Sequence, residues 1–582
     1  MLTRMLARII RGISESLTSK RGRGQTGLIA EAVELIAGGD LVRAESKLRA
    51  AASSNVHDAE VYRLLGSVLG ANGRLDEAQE TLEHALGLDP GSSAGLSDLG
   101  NVFRMSGRIS EAEHCYRRAL EIDPSSRSAR LSLAYIDEHL GRNEAAKSAL
   151  NSMLGPPALA PALQALVALL DRLGQFAEAK RVCLDVLSRE PGHAAADAAL
   201  GFLLLKRELQ PEAALTHLER ALSSGYRNED VLSNRGIALQ DLGRLDEAIE
   251  SYDAALKVQG DYQPARFHRA LALLMRGEFA RAWPDYEMRL NSEDAVAPPR
   301  ALPRWDGRSL PDATLLVYGE QGLGDEIMFA SCLPDLLRRC PRITLTCAAK
   351  LEPIFRRSFP QIEVNSLDRT REPGGETLLE SASVTRAIGS LPLYFRPTLE
   401  HFPDHDGYLR ADPDLVAQYR ERLLAMGPGP KVGISWRGGT HRSRQAWRTL
   451  NRDHIAAILG APGIQFVNLQ YDSTGEEPEI ASAIASGRLI HWPKALTDYD
   501  HTAALVHGLD VVVSVCTAVI HLVGALGRPV WVMAPFSPEW RYGISGEAMP
   551  WYPSATVIRQ PIPGDWAPVI DAVRTRLQAL VT

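Results

Sequence analysis

A glycine-rich turn that ends in an acid is the segment of this sequence best suited to chemistry. The turn, GEQGLGD at residues 319–325, follows a strand-like apolar run and precedes a helical one. Gly322 and Gly324 let a ligand approach the backbone closely, and a helix N-terminus favours negative charge nearby. Asp325 has two interpretations: a first-turn acid that complements the helix dipole, or a carboxylate that accepts a proton from an attacking hydroxyl.

A second candidate segment is basic and lies about a hundred residues further on. It reads GISWRGGTHRSRQAWRTL, residues 433–450, and contains Arg437, Arg442, Arg444 and Arg448. Arginines can stabilise a phosphate leaving group when no metal is present. The alternative is a solvated basic loop.

A third candidate is the turn after the apolar run VVVSV at residues 511–515. Small residues come first, and His521 follows one helical turn later. A helix start of this kind can direct backbone N–H groups and an imidazole at a phosphate. His521 suits a structural position in a helix equally well.

Two further sets of residues are not predicted to bind metal. Asp404 with Asp406 and Asp412 with Asp414 match a DxD motif, but they lie in a proline- and glycine-containing connection, so no metal is expected there. The six cysteines have no CxxC or Cys/His spacing, which predicts reduced, buried thiols. No cofactor is expected.

The strand and helix signals that surround the three turns alternate, as in parallel α/β layers. Strands are predicted at 314–318, 343–347, 431–436, 465–469, 511–515 and 530–534. A second first-strand signal at Lys431 implies two Rossmann-like lobes with a cleft between them. The last helical segment, 567–580, is expected to fold back onto the first lobe.

A repeat of 34 residues precedes these lobes. Gly73, Gly107 and Gly141 keep this step, and small alanines alternate with bulky Leu or Tyr between them. This is the tetratricopeptide pattern, in which small residues let paired helices approach. We predict about eight repeats, which form a solenoid for binding another protein.

The predicted organisation has five parts. They are a basic amphipathic segment (1–24), the repeats (25–292), a proline-rich connector with an ordered RWDG strap (293–312), a first lobe (313–429) and a second lobe (430–582). The basic segment suits either an anionic membrane surface or a solvated helix. The net charge of −7 gives no reason to expect nucleic acid, no apolar run is long enough to span a membrane, and a cytoplasmic protein is expected.

Taken together, GEQGLGDEIMF, SWRGG with WRTL, and SVCTAVIHLVGALGRPVWV with PEWRYG and PWYPS resemble heptosyltransferase-like glycosyltransferases of GT-B fold that follow tetratricopeptide repeats in bacteria. The layout is also similar to that of the alphaproteobacterial flagellin glycosyltransferases. The resemblance implies an α-solenoid followed by a metal-independent GT-B enzyme with a nucleotide-sugar donor.

The resemblance also assigns residues. It makes Asp325 the catalytic base and Arg448 the contact to donor phosphate, and it aligns the nucleotide-sugar motif with Cys516, Thr517, Ala518 and His521. Gly322, Gly324 and Arg437 complete the expected donor site. Cys516 replaces the usual Asp, which disfavours ADP-heptose and suits a donor with its own carboxylate, such as a CMP-activated nonulosonic acid.

Three functions stay open at this point. The first is a protein O-glycosyltransferase that modifies Ser or Thr of an acceptor held by the repeats, with flagellin as the expected acceptor. The second is an envelope-glycan transferase of heptosyltransferase type. The third is an inactive repeat adaptor, which the Cys516 replacement leaves room for.

Overall fold

The computed structural model describes residues 26–54, 56–292, 295–367, 381–439, 444–471 and 478–582. The predicted basic segment 1–24 and Arg442 lie outside these ranges. The contacts divide the chain into two compact units, Met1–Tyr226 and Arg227–Thr582. No helix among the described residues is both long and apolar enough to cross a membrane.

The repeats consist of sixteen described α-helices in eight consecutive pairs, six in the first unit and two in the second. They are α1 (Thr26–Ala37), α2 (Leu41–Ser54), α3 (Ala59–Ala71), α4 (Leu75–Leu88), α5 (Ser93–Met105), α6 (Ile109–Ile122), α7 (Arg127–His139), α8 (Asn143–Asn151), α9 (Ala160–Arg172), α10 (Phe176–Arg189), α11 (Ala194–Lys206), α12 (Pro211–Ser223), α13 (Glu229–Asp241), α14 (Leu245–Val258), α15 (Gln263–Arg276) and α16 (Phe279–Tyr286). The predicted number of repeats and their helical fold are confirmed.

The glycine on the first helix of a pair contacts the bulky side chain on the second. A Cβ on Gly100 would lie 2.7 Å from the ring of Tyr116, and one on Gly236 would lie 2.5 Å from the ring of Tyr252. No other residue fits these positions without displacing a buried aromatic ring, because the ring already fills the space. This close contact explains the Gly and Leu/Tyr spacing of the sequence.

Within the described residues, the second unit continues with ten strands in two parallel sheets. The strands are β1 (Thr314–Tyr318), β2 (Ile343–Ala348), β3 (Glu363–Leu367), β4 (Ala382–Ala387), β5 (Lys431–Ser435), β6 (Gln465–Asn468), β7 (Leu489–Ile490), β8 (Val511–Val515), β9 (Val530–Ala534) and β10 (Ala555–Arg559). The first sheet has the order β3-β2-β1-β4 and the second β10-β9-β8-β5-β6-β7. Counted from its own first strand, the second sheet has the Rossmann order 3-2-1-4-5-6.

Helices connect these strands. They are α17 (Leu323–Ala330), α18 (Leu333–Leu337), α19 (Glu352–Ser358), α20 (Pro392–Phe395), α21 (Pro413–Ala425), α22 (Arg452–Leu459), α23 (Pro478–Ala485), α24 (Pro493–Thr497), α25 (Tyr499–His507), α26 (Ala518–Ala525) and α27 (Ala567–Val581). The expectation for the last helix is wrong. The buried face of α27, which includes Val569, Val573 and Leu577, belongs to the core of the second sheet, and the helix does not fold back onto the first.

The last repeat packs directly against the sheets of the second unit. Trp283 on α16 stacks edge-on against Trp540 at 5.8 Å, and its indole N–H donates to the carbonyl of Arg396 at 2.7 Å. The predicted RWDG strap is ordered: Trp305 is buried, and its backbone N–H donates to Thr385 on β4 at 2.9 Å. Large buried aromatic surfaces of this kind fix neighbouring elements firmly, so repeats seven and eight form one compact unit with the sheets.

Candidate functional site

Asp325 lies in the first turn of α17, and both of its carboxylate oxygens have partners. Oδ2 accepts the backbone N–H of Gly322 at 3.2 Å, and Oδ1 accepts Arg541 Nη2 at 2.7 Å. The side chain is 16% exposed. The carboxylate therefore caps the helix start, as one of the two interpretations requires, and it also forms a mostly buried ion pair.

Arg541 extends this ion pair into a row of alternating charges. Its guanidinium lies 3.9 Å from Glu539, whose other carboxylate oxygen binds Arg448. Burial lowers the pKa of Arg541, but the carboxylates of Asp325 and Glu539 outweigh it and raise that pKa above its ordinary value. The row connects the predicted base with the predicted phosphate contact.

Sequence reasoning did not single out Arg541 or Glu539 as site residues. Both lie in the PEWRYG segment, which carried part of the family resemblance. The resemblance of that segment to the family was the only sequence feature that pointed to these two residues. The pairing itself could not be read from the sequence, because Asp325 and Arg541 are 216 residues apart.

Gly324 and His521 bring the first-sheet helix α17 against the second-sheet helix α26. A Cβ on Gly324 would lie 2.8 Å from His521 Cδ2 and 3.3 Å from the backbone of Ala518. The ring of His521 is buried, with Nδ1 3.1 Å from the hydroxyl of Tyr552. Burial, helped by the charge of Arg541, lowers the pKa of His521 well below its ordinary value. This neutral, packed imidazole matches the structural interpretation of His521, and its contact to phosphate stays a prediction.

The predicted donor residues of the second sheet meet where its strand order reverses, between β5 and β8. Gly438 has no room for a side chain, because a Cβ there would lie 2.4 Å from the carbonyl of Cys516. Gln470 orients the loop after β5 by accepting the backbone N–H of Arg437 at 2.8 Å. Thr517 is the N-cap of α26 and accepts the N–H of Val519 at 3.3 Å. Crevices at such reversal points are where open α/β sheets bind ligands.

The first sheet has its own reversal point, between β1 and β4, and a buried ion pair occupies it. Arg289, from the short helical turn after α16, donates to Glu320 at 2.5 Å, and both side chains are 4% exposed. Glu320 also accepts the N–H of Gly389, just after β4, at 3.1 Å. Beside this pair is a pocket of about 670 Å³ between the last repeat and the glycine turn.

Arg444, one of the four arginines in the basic loop, anchors that loop to a repeat. It binds Asp241, at the end of α13, whose side chain is 1% exposed. Burial raises the pKa of Asp241 to about 6, although Arg444 opposes the rise. Arg444 therefore anchors the loop through its contact with a buried carboxylate, although its own side chain is 36% exposed.

The acids and cysteines that were not predicted to bind metal lie in positions that suit a structural role. Asp412 caps α21 by accepting the N–H groups of Asp414 and Leu415, both at 3.0 Å. Across the described ranges, no group of three His, Cys, Asp or Glu residues could hold a metal ion. All six cysteines are buried and free, and burial raises the pKa of Cys516 to about 12.

Comparison with known proteins supports the repeats. Profiles described as tetratricopeptide repeat match residues 57–125, 103–170 and 233–294. A tetratricopeptide repeat protein from Parabacteroides merdae is 18% identical, covering 43% of this chain and 100% of its own, with a TM-score of 0.34. Yeast Tom70 is 14% identical, covering 50% of this chain and 66% of its own, with a TM-score of 0.41.

A curated protein is similar beyond the repeats. Protein FlbA of Caulobacter vibrioides is 34% identical over 365 residues, or 59% of this chain. The chain matches 60% of the length of that relative. The helix pairs and the profile matches together identify the N-terminal half as tetratricopeptide repeats, in a chain that resembles FlbA.

Proposed function

We propose that this protein is a GT-B glycosyltransferase that moves a sugar from a nucleotide donor to a Ser or Thr hydroxyl of an acceptor protein. The observation that carries the proposal is the meeting of the two sheets near their reversal points. The turn with Asp325 follows β1, the loops with Arg437 and Thr517 follow β5 and β8, and α17 packs on α26. A candidate proton acceptor thus comes from the first sheet and cationic groups come from the second, at the place where the two sheets meet.

The reaction assigns each charge a task. The acceptor oxygen attacks the anomeric carbon, its proton passes to the Asp325 carboxylate, and the bond from that carbon to the donor phosphate breaks. The phosphate leaves with the bonding electron pair, and Arg448 and Arg541 stabilise the charge that develops on it. No step requires a metal.

For Asp325 to act, its contact with Arg541 has to give way or be shared with substrate. Arg541 lies between Glu539 and Asp325, so a bound phosphate would compete with both carboxylates for its guanidinium. Charge-assisted hydrogen bonds to phosphate are strong enough for this exchange. Arg541 thereby becomes a donor-contacting residue within the proposal.

Flagellin is the proposed acceptor, and a donor with its own carboxylate, such as a CMP-activated nonulosonic acid, is the proposed donor. The acceptor rests on the resemblance to repeat-bearing flagellin glycosyltransferases and on the similarity to FlbA. The donor rests on Cys516, which places a buried neutral thiol where the family pattern has a carboxylate. Removal of that negative charge favours an anionic sugar. Catalysis in the cytoplasm completes the proposal.

Mass spectrometry of a deletion strain tests this function. The proposal predicts that flagellin loses the mass of its sugars, that lipopolysaccharide keeps its mass, and that the wild-type gene restores flagellin. Loss from lipopolysaccharide alone would favour the envelope-glycan transferase. Unchanged masses of both would favour the inactive adaptor, for which the engaged carboxylate of Asp325 is the supporting observation.

A further inference from the structure

The pocket of about 670 Å³ beside the first sheet's reversal point has no role in the donor site described above. It lies within the second unit, between the start of α15, the turn after α16, the connector and the glycine turn. The lining residues that matter here are Gln263, Phe267, His268, Met288, Val296 and Gln321. We call it the repeat–loop pocket.

The repeat–loop pocket adjoins the predicted base through the glycine turn. Gln321 forms part of its wall, and the next residue, Gly322, donates its N–H to Asp325. Gln321 has φ 63°, a strained conformation for a side chain other than glycine, and accepts the hydroxyl of Tyr286 at 3.2 Å. A group that enters this pocket therefore lies against the same turn that holds Asp325.

The charges of the pocket argue against a nucleotide. Among the described residues of its wall, the ionised side chains are Arg289 and Glu320, which neutralise each other in a contact of 2.5 Å. His268 is neutral at physiological pH, because burial and the nearby charge of Arg444 lower its pKa to about 4. A nucleoside diphosphate needs cations or a row of backbone N–H groups, and the described wall offers no uncompensated cation.

The remaining chemistry suits a polypeptide. Phe267, Met288 and Val296 offer an apolar floor, and the exposed amide of Gln263 can pair with the peptide groups of an extended chain. Phe267 is only partly buried, although its ring stacks at 6.1 Å on the buried Tyr286. An apolar side chain of a guest would cover this exposed part of the ring.

We propose that the repeat–loop pocket binds an extended segment of the acceptor polypeptide next to the hydroxyl that is modified. The proposal rests on the proposed function and adds where the acceptor chain lies: on the first-sheet side, between the eighth repeat and the Asp325 turn. An apolar residue flanking the modified Ser or Thr is the chemical feature that the pocket selects.

Photo-crosslinking tests this placement in the full-length protein. A benzoylphenylalanine replaces Gln263, which is exposed at the pocket rim, or Glu250, which is exposed on α14 and is not part of the lining. The probe is flagellin purified from a strain that lacks this protein. We expect adducts from position 263, mapping close to the modified residues, and far fewer from position 250.

A second arm measures transfer. Gln263→Trp narrows the pocket, and Glu250→Trp is the matched control. We expect flagellin from cells that carry the Gln263→Trp variant of this protein to have mostly the unmodified mass. Flagellin from cells that carry the Glu250→Trp variant should have the same mass as flagellin from wild-type cells.

The two proposals fail in different ways. If wild type restores flagellin but Gln263→Trp does so equally well, and position 263 gives no more adduct than 250, the pocket proposal is wrong and the proposed function stands. If wild type never changes the mass of flagellin, the proposed function is wrong, and the adducts alone decide whether the pocket binds polypeptide. Loss of the 263 adduct on addition of CMP or UDP would show a nucleotide site and overturn the pocket proposal.

Discussion

The Arg289–Glu320 ion pair holds the glycine turn on the last repeat, and its removal should have a large, measurable cost. Both side chains are almost fully buried, and Glu320 also accepts the N–H of Gly389. Glu320→Ala leaves a buried guanidinium and an unpaired N–H. Breaking a buried pair from one side typically costs about 3–5 kcal/mol. We expect the lower end, because Arg289 keeps Glu287 at 3.0 Å.

Tryptophan fluorescence reports this cost selectively. All nine tryptophans lie between Trp283 and Trp566, within the second unit, so the denaturation curve of their emission follows that unit alone. Glu320→Ala should lower the urea midpoint, and so should Arg289→Met. The double variant, Arg289→Met with Glu320→Ala, should lose less than the sum of the two, with a coupling of about 2–3 kcal/mol.

The Arg308–Asp306 pair provides the control. Its side chains are 88% and 58% exposed, so Asp306→Ala should leave the midpoint nearly unchanged. If Glu320→Ala behaves like Asp306→Ala, or if the single losses simply add, the pair does not fix the turn and the reasoning is refuted.

Three further predictions concern the repeats, the basic loop and the donor site. Gly100→Ala should destabilise the first unit by about 1–3 kcal/mol, because the new methyl group would meet the ring of Tyr116. Gly87→Ala is the control: its methyl group would enter open space, so it should stabilise α4 slightly. Unfolding followed by far-UV circular dichroism checks both. Asp241 has a pKa raised from 3.8 to about 6, so its contribution to the free energy of unfolding is full below 3.8 and is lost as pH rises through about 6. Asp241→Asn should remove this loss of stability between pH 3.8 and about 6. If the fluorescence midpoint of the variant depends on pH as that of wild type does, the prediction is wrong. Arg448→Ala should slow sugar transfer roughly 100- to 1000-fold. Arg452 is exposed beyond the loop, so Arg452→Ala should leave the rate unchanged, and equal rates for the two variants would remove Arg448 from the site. Transfer by the wild-type protein should survive EDTA.

Periodic features made the repeats and the central strands predictable. The steps of 34 residues result from one contact made again and again, Gly against Leu or Tyr, so they are visible without an alignment. All six predicted strands are confirmed, because runs such as VVVSV are rich in β-branched apolar residues, which favour strands. The strands that were missed are β3, β4, β7 and β10.

The missed strands are short or polar. β4 reads ASVTRA, and its Arg386 is buried only because it pairs with Glu287, at the end of the repeats, at 2.7 Å. β7 has two residues, too few for any pattern. Their place in the sheets depends on partners that are distant in sequence.

The sequence predicted which loops form the candidate site, but not which of their side chains pair with each other. The glycine turn, the basic loop and the turn before α26 were each recognised from the sequence. The buried pairing of the loop acid Glu320 with Arg289 was not predicted, and neither was the role of Arg541. Both depend on contacts across more than thirty residues, which composition and spacing do not encode.

The most direct test of the central claim is the mass of flagellin from a deletion strain that carries Asp325→Asn. Asn keeps the size of the side chain and its oxygen acceptor for the N–H of Gly322, but it is too weakly basic to take a proton. The account predicts folded protein at wild-type abundance, with a fluorescence midpoint lowered by the loss of the ion pair to Arg541, and flagellin at its unmodified mass. Fully modified flagellin from this strain would make Asp325 a helix cap only, and would contradict the proposed mechanism.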